Sequence, residues 1–275
     1  MTHSDHDFYA SDSDTILLSS DDVKFCVHRC ILAAASPFFE QMFGLPQPPA
    51  DLTNEERRPV ISMSEPGSTV QRLLHLVYPV PHPTISSIDD LVTILGVAIK
   101  YEFLGVISTL RKQLICPAFL RDDPVRVFAI ASRYELEYEA QVASKHTLSV
   151  DIVDSPLSED LRFITAHSYH RLLVLHKKRS ADAQALLKIP EDVKCLQCSG
   201  AYYGAFIPPK WWKEFERMAR AELMKRPTTD VIFSMPFLAR VAEASACPRC
   251  AGSILEAHQF LSDLKRQIDD LPSTI

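Results

Sequence analysis

Residues 24–43 constrain the fold more than any other stretch, because a pattern typical of a strand passes directly into patterns typical of two helices. Apolar and polar side chains alternate over residues 24–27, which is the period of a half-buried strand. The small apolar run at 31–35 favours a helix. Ser36 then supplies a helix cap and Pro37 a first-turn proline. The stretch predicts a strand, a helix and a second helix, and it contains no catalytic motif.

The residues before this stretch predict a second strand. An apolar segment at 16–18 precedes the polar turn 19–22, so the two strands are expected to form a hairpin that leads into the first helix. Further along, residues 60–63 predict another strand, and residues 71–78 and 91–101 predict helices.

This pattern resembles the signature of the BTB/POZ family over about the first 115 residues, the length of one domain. The residues that carry the resemblance are Asp14, Ile16, Phe25, Val27, His28, Arg29, Ile31, Leu32, Ala33, Ser36, Phe38, Phe39, Met42 and Phe43, followed later by Ala98, Lys100 and Tyr101. The proline-rich bridge 78–83 resembles the fungal, basidiomycete-like branch of the family.

The resemblance implies an α+β N-terminal domain that binds other proteins and is not an enzyme. Some family members dimerise, and others are substrate adaptors of cullin-type ubiquitin ligases. Few residues precede Asp14, so a homodimer is compatible with the sequence but the strand-exchanged dimer of long family members is not expected. The loop 45–59 lacks the apolar-x-Glu cullin contact of the family and has Leu52-x-Asn54 in its place.

Cysteine spacing provides the second strong signal. The chain has seven cysteines and begins with a polar, acidic segment that does not resemble a secretory signal, so reduced thiols or metal ligands are expected rather than disulfides. Four of them form two Cys-x-x-Cys pairs, each followed by glycine at the second position after it: Cys195 and Cys198 before Gly200, and Cys247 and Cys250 before Gly252.

Two such pairs predict a structural zinc site with four thiolate ligands. Glycine would permit the left-handed backbone that these turns often need. The 48 residues between the pairs exceed the roughly 15–20 of compact zinc ribbons, so an inserted helical segment must return the chain to the first pair. Apolar residues at helical spacing over 211–223, and a shorter helical pattern at 230–240, can supply that segment.

Two alternatives to zinc remain open for these cysteines. One is a thioredoxin-like redox pair, although that chemistry normally needs one Cys-x-x-Cys in a βαβ setting. The other is that all four are simply buried side chains. Cys26, Cys30 and Cys116 occur singly among apolar residues, and we interpret them as small buried side chains without a functional role.

The middle of the chain predicts further helices. Ser87 and Asp90 form a capping box before residues 91–98, Asp123 and a following proline start a helix over 125–134, and helical patterns recur at 139–148 and 159–188. The predicted organisation is a BTB/POZ domain at 1–118, a helical extension at 119–190, and a mainly helical, zinc-stapled region at 191–275.

A cluster of histidine and basic side chains in the middle region admits several interpretations. His167, His170 and His176 fall at helical intervals, and His176 begins the basic run 176–179. Metal ligands, a nucleic-acid patch and a nuclear import signal are alternatives, but a solvated helix face is favoured because no aromatic residues interleave with the charges. His28 is expected to be a structural hydrogen-bonding residue under the first helix.

Composition and sequence motifs narrow the classes of function that remain for this chain. The net charge of −6 disfavours nucleic-acid binding through a broadly basic surface, and no apolar run reaches the length of a membrane helix. With seven glycines, the chain has no phosphate-binding loop, dinucleotide fingerprint or hydrolase elbow. We therefore predict an intracellular protein of the cytoplasm or nucleus that binds other proteins. The alternatives are a cullin-ligase substrate adaptor and a transcriptional regulator whose cysteine knuckles contact DNA.

Overall fold

The structure, a computed structural model, describes residues 8–46, 58–80, 85–202 and 205–275. It divides into two units, Met1–Cys116 and Pro117–Ile275. The first is an α+β unit with a small sheet, and the second is mainly helical.

A three-stranded sheet organises the first unit. Strands β1 (Thr15–Leu18) and β2 (Lys24–Val27) form the expected antiparallel hairpin, and β3 (Val60–Ser62) pairs in parallel with β1, so the strand order is β2-β1-β3. Asp22 adopts a left-handed φ of 62° in the hairpin turn, and the Ser19 hydroxyl donates to the Asp21 carboxylate at 2.6 Å. The polar turn thus supplies the backbone conformation that joins the strands.

Five helices complete the first unit: α1 (Arg29–Ala35), α2 (Pro37–Gly44), α3 (Gly67–Val77), α4 (Ile88–Lys100) and α5 (Leu104–Leu114). Ser36 caps α2 as expected, since its side chain accepts a hydrogen bond from the backbone N–H of Phe39. Ser87 caps α4, but Asp90 pairs with Arg72 on α3. The serine cap is therefore confirmed, whereas the acidic residue of the proposed box contacts a neighbouring helix.

The start of α3 requires a residue without a side chain. A Cβ atom on Gly67 would lie 2.8 Å from Cγ2 of Val23, and the Gly67 N–H donates to the Asp21 carboxylate at 2.7 Å. Gly67 lets the helix approach the hairpin turn closely. The helix accordingly begins four residues before the apolar pattern that predicted it.

The second unit begins with three helices, α6 (Pro117–Asp122), α7 (Pro124–Arg133) and α8 (Glu137–Thr147). A 3-10 helix (Glu159–Phe163) and the long α9 (Ala166–Leu186) follow. The continuous helix expected over 159–188 is wrong, because Ile164 is extended and the Thr165 side chain caps α9 by accepting from the Ser168 N–H at 3.0 Å.

The remainder consists of a hairpin, β4 (Gly200–Tyr202) and β5 (Ala205–Ile207), and the helices α10 (Lys210–Lys225), α11 (Met235–Ala244), α12 (Cys250–Glu256) and α13 (His258–Asp269). The helix predicted over 211–223 is confirmed as α10. The one expected over 230–240 begins later, because Ser234 caps α11 by accepting from the Phe237 N–H. Trp211, Phe215 and Val241 are fully buried in the core of this region.

Candidate metal centre

The first Cys-x-x-Cys segment forms a tight turn ahead of the β4–β5 hairpin. The Cys195 N–H donates to the Ser199 hydroxyl at 2.8 Å, and the Ser199 N–H donates to the Cys195 carbonyl oxygen at 3.1 Å. These reciprocal hydrogen bonds hold Cys195 and Cys198 at the ends of one turn, which is the arrangement needed for two thiols to point at a common centre.

The second Cys-x-x-Cys segment lies between α11 and α12. The Cys250 N–H donates to the Cys247 carbonyl oxygen at 3.1 Å, and Cys250 is the first residue of α12. Ala246, directly before Cys247, has a left-handed φ of 49°. A positive φ therefore occurs at this turn, but it is adopted by an alanine.

The expected role of the two glycines is wrong. Gly200 begins strand β4 and Gly252 lies within helix α12, and neither has a left-handed φ. Both have open space around the position of a Cβ atom. The shared glycine is part of the sequence pattern common to the two cysteine segments, but it does not form the turn in either of them.

All four thiols converge. The Sγ atoms of Cys195, Cys198, Cys247 and Cys250 lie within 4.8 Å of one another. Among the described residues, these four side chains form a cluster of potential ligands that could hold a metal ion. Across the two segments, Cys195 Sγ lies 3.9 Å from Cys247 Sγ, and Cys198 Sγ lies 3.6 Å from Cys250 Sγ. These separations are far longer than the roughly 2.05 Å of a disulfide bond, so the four are free thiols.

The sulfur separations suit a tetrahedral ion. With a zinc–sulfur bond of about 2.3 Å, the sulfur atoms at the corners of a regular tetrahedron lie about 3.8 Å apart. The two cross-segment distances fall on either side of this value. A closed four-thiolate site would then need the widest separation, which is within 4.8 Å, to shorten by up to about 1 Å.

The amino end of α10 faces the thiols. The Lys210 backbone N–H donates to Cys198 Sγ at 3.3 Å, and the Trp211 backbone N–H bonds to the thiol of Cys250. Unpaired N–H groups at a helix start carry partial positive charge and favour nearby anions. Helix α10 thus offsets part of the negative charge that four thiolates would bring.

A buried indole ties the site to the core. The Trp211 Nε1–H donates to the Ser253 hydroxyl at 2.9 Å, and that hydroxyl donates to the Lys194 carbonyl oxygen at 3.0 Å. These two hydrogen bonds join α10, α12 and the residue that precedes the first cysteine. Cys195 and Cys250 belong to the same buried cluster, whereas Cys198 and Cys247 are half-buried.

The thiols of the cluster differ in how readily they ionise. Burial raises the pKa of Cys198 to about 12, and burial also raises the pKa of Cys250. At Cys247 burial is the largest single influence and opposes ionisation, but the hydrogen bonds from the Arg249 backbone N–H and from the other three thiols together lower the pKa. A nucleophilic Cys-x-x-Cys needs a thiolate stabilised near neutral pH. Raised pKa values at two of the four thiols fit metal ligands that lose their protons when a cation binds.

The predicted solvated face around the histidines is only partly correct. His167 and His170 are exposed, but His176 is 8% exposed and its Nε2 lies 3.0 Å from the Thr147 hydroxyl. Burial lowers the pKa of His176 to about 4. No metal-ligand group among the described residues includes these histidines.

Arg179 is likewise buried, at 5% exposure, and its guanidinium donates to the backbone carbonyl oxygens of Pro227, Ile268, Leu271 and Pro272. It therefore satisfies the C-terminal end of α13, where cations are favoured. The interpretation as surface basic residues holds for Lys177 and Lys178, which are exposed.

The isolated cysteines do not all behave as expected. Cys26 and Cys116 are half-buried, but Cys30 is exposed on α1. The prediction that all three are buried is wrong for Cys30, because the helix turns this residue away from Leu32, which faces the core.

In the first unit, the signature residues connect the hairpin to the helices. The Asp14 carboxylate accepts from the Arg29 N–H at 2.8 Å at the start of α1, and the His28 N–H donates to the Tyr78 hydroxyl at 2.8 Å. The His28 ring lies beside the same hydroxyl, with Nδ1 3.4 Å from the Tyr78 oxygen, so the side chain has the structural hydrogen-bonding position that was predicted. Residues 7–116 match the family model of the BTB/POZ domain. This segment is a BTB/POZ domain.

The BTB/POZ domain is a protein–protein interaction module, so the first unit provides a binding function. No curated protein matches the chain. The Leu52-x-Asn54 segment, which stands in place of the family's cullin contact, and part of the proline-rich bridge lie outside the described residues. Within the described ranges, no helix is both long and apolar enough to cross a membrane.

Proposed function

We propose that this chain is a non-enzymatic protein-interaction protein whose BTB/POZ domain binds a protein partner and whose C-terminal region is folded around one structural zinc ion. The ligands would be Cys195, Cys198, Cys247 and Cys250. The observation that carries the zinc proposal is the convergence of these four Sγ atoms within 4.8 Å. The observation that carries the interaction proposal is the BTB/POZ match over residues 7–116.

Zinc fits the donor set better than harder cations do. Thiolates are soft ligands, and a tetrahedral set of four selects zinc or an iron–sulfur centre over magnesium or calcium. A site with four protein ligands has no position open for water, so it would stabilise the fold without activating a substrate. Such a centre supports a scaffold function rather than catalysis.

Metal content and stability test the zinc proposal directly. The purified chain is expected to contain about one zinc per molecule by elemental analysis, and chelator is expected to lower the melting temperature. Cys195→Ser and Cys247→Ser should each lose the zinc. Cys30→Ser is the matched control, since Cys30 is an exposed thiol outside the cluster. Zinc-free protein with unchanged stability, or zinc retained in both ligand variants, would overturn the proposal.

The narrower functions remain alternatives to a general scaffold. A substrate adaptor of a cullin-type ligase would co-purify with a cullin, and a DNA-binding regulator would be retained on DNA with a steep salt dependence. The overall charge of −6 weighs against the second. Homodimerisation of the BTB/POZ domain is a further proposal, and sedimentation of the purified chain tests it.

We also propose three finer features of this protein. These are the kinship with the fungal branch, the location in cytoplasm or nucleus, and the division of the chain into 1–118, 119–190 and 191–275. Limited proteolysis tests the last of them, because cleavage sites concentrate in exposed segments between folded regions.

A further inference from the structure

An apolar groove of about 420 Å³ lies between α11 on one side and α12 and α13 on the other. The α11 wall presents Met235, Leu238, Ala239 and Ala242, which recur at i, i+3, i+4 and i+7. Met235 is 70% exposed, and the opposite face of the helix buries Phe237 in the core. Leu238 and Ala242 are partly buried against the core, whereas Met235 and Ala239 are exposed, so the apolar stripe of α11 is only partly covered within the described part of the unit.

The facing wall repeats the pattern. Ala251, Ile254 and Leu255 of α12 are followed by His258 and Leu261 of α13 at the same helical spacing. Leu255 is 65% exposed, whereas Ile254 and Leu261 are buried and belong to the core. Two facing apolar stripes of helical period form the kind of groove that a third amphipathic helix fills, and the alanines on both walls allow close approach of a backbone. Exposed apolar surface of this kind marks an interaction site.

Charge at the groove indicates which helix would fit. His258 and Lys265 are the ionisable side chains among the described lining residues, so the lining contains bases and no acid. The Lys265 ammonium also contacts the Asp269 carboxylate at 2.7 Å, but both side chains are more than 40% exposed. A partner carboxylate can therefore reach this edge, and complementary charges at a rim favour association and orientation.

The groove is built onto the cysteine centre. Helix α11 ends at Ala244 and α12 begins at Cys250, so residues 245–249 join the two walls and include Cys247. A metal ion bound by Cys247 and Cys250 would fix this junction to the first knuckle and to the start of α10. The width of the groove would then depend on the metal.

We propose that this groove binds an amphipathic, acidic helix of a partner protein, and that the binding requires the metal. The partner helix would place apolar residues at i, i+3, i+4 and i+7 against the two stripes and carboxylates along the edge formed by His258 and Lys265. The metal requirement rests on the proposed zinc site, whereas the groove and its charge do not.

A pair of synthetic peptides of about 16 residues tests the proposal. Both peptides carry leucine at the groove-facing positions i, i+3, i+4 and i+7. They differ only at the positions beside the leucines, which are glutamate in one peptide and lysine in the other. Fluorescence anisotropy with the full chain is expected to show binding of the glutamate peptide on the order of 10 μM and about tenfold weaker binding of the lysine peptide.

Matched substitutions locate the binding. Met235→Gln combined with Leu255→Gln should weaken the glutamate peptide about tenfold or more, since both side chains line the groove. Met224→Gln is the control, because Met224 on α10 is 71% exposed and does not line the groove. Lys265→Gln should reduce the preference for glutamate. Circular dichroism of each variant confirms that it is folded.

The outcomes separate the two proposals. Equal binding of both peptides, no binding of either, or identical affinities of the groove and control variants would overturn the groove proposal. A dimer that dissociates in the Met235→Gln, Leu255→Gln variant would replace the partner helix with a second copy of the chain. Titration of the glutamate peptide into chelator-treated chain tests the metal requirement, which unchanged affinity would overturn. Zinc content measured in the same samples tests the metal site separately, because a zinc-loaded chain that binds no peptide leaves that site intact.

Discussion

The hydroxyl of Ser36 donates to the carbonyl oxygen of Tyr101 at 2.6 Å, across 65 residues of sequence. The Ser36 hydroxyl oxygen in turn accepts from the Phe39 N–H at 3.1 Å, and Ser36 is fully buried. Tyr101 is the C-cap of α4 and Ser36 is the N-cap of α2. One hydroxyl therefore closes the ends of two helices in the BTB/POZ domain.

Replacement of this hydroxyl should destabilise the first unit. Ser36→Ala removes a helix cap and leaves a buried carbonyl without its partner, so a loss of about 2–3 kcal/mol in the free energy of unfolding is expected. Urea unfolding followed by circular dichroism measures it. Ser87→Ala is the control, because its cap is exposed, and it should cost about 1 kcal/mol or less. Equal losses for both variants would contradict the role assigned to Ser36.

Substitution of Gly67 should show the cost of crowding the hairpin turn. Alanine normally stabilises a helix by about 1 kcal/mol relative to glycine, but here its Cβ would meet the stiff side chain of Val23 at 2.8 Å. We expect Gly67→Ala to lose a net 1–2 kcal/mol, as an order-of-magnitude estimate. Thermal unfolding measures the change, and Gly105→Ala should be neutral or stabilising, since nothing lies within 4 Å of its Cβ position. Similar effects at both glycines would refute the argument from close contact.

Tryptophan emission should report the metal site. The two tryptophans of the chain, Trp211 and Trp212, are buried at the start of α10, and the Trp211 N–H groups contact both Ser253 and Cys250. Removal of zinc by chelator should expose the indoles and shift their emission to longer wavelength. Added zinc should reverse the shift in wild type and in Cys30→Ser but not in Cys247→Ser. An emission spectrum indifferent to chelator would show that the core holds without metal.

Acid should destabilise the second unit through His176. Burial lowers the pKa of His176 to about 4 from an ordinary value near 6.5. The unfolded chain therefore binds a proton that the folded chain excludes between pH 6.5 and pH 4, so stability falls as the pH falls through this window. The maximum loss from this residue is about 3 kcal/mol.

A neutral replacement isolates the contribution of His176 from other acid-sensitive groups, including the cysteines. His176→Gln can still bond to the Thr147 hydroxyl, and it should flatten the pH dependence of urea unfolding followed by tryptophan emission. His170→Gln, at an exposed position of the same helix, should keep the wild-type slope. Identical slopes for all three proteins would mean that His176 is not buried as a neutral base.

Local signals made much of the fold predictable. The alternation over β2, the Ser36 cap and the helical spacing of α10 each act within a few residues, and the structure contains all three elements. The four cysteines were identifiable because a repeated pair spacing has a direct chemical meaning, and their Sγ atoms do lie together.

The errors occurred where distant residues decide the environment. Periodicity placed His176 and Arg179 on α9 but could not show what covers them. Thr147 contacts His176, and the carbonyl oxygens of Pro227 and Ile268 accept hydrogen bonds from Arg179. The groove was missed for the same reason, since its two stripes belong to helices that meet only in the folded unit.

The separation of the cysteines along the chain also makes the metal site and the core depend on each other. Cys195 and Cys247 are 52 positions apart, so their convergence closes a long loop, and the entropic cost of closure must be met by contacts formed in between. Packing of Trp211, Phe215 and Val241 supplies those contacts. Loss of the metal would remove one of the constraints that close this loop, so a cell short of zinc would accumulate chains whose C-terminal region is loosened around Trp211 and Trp212.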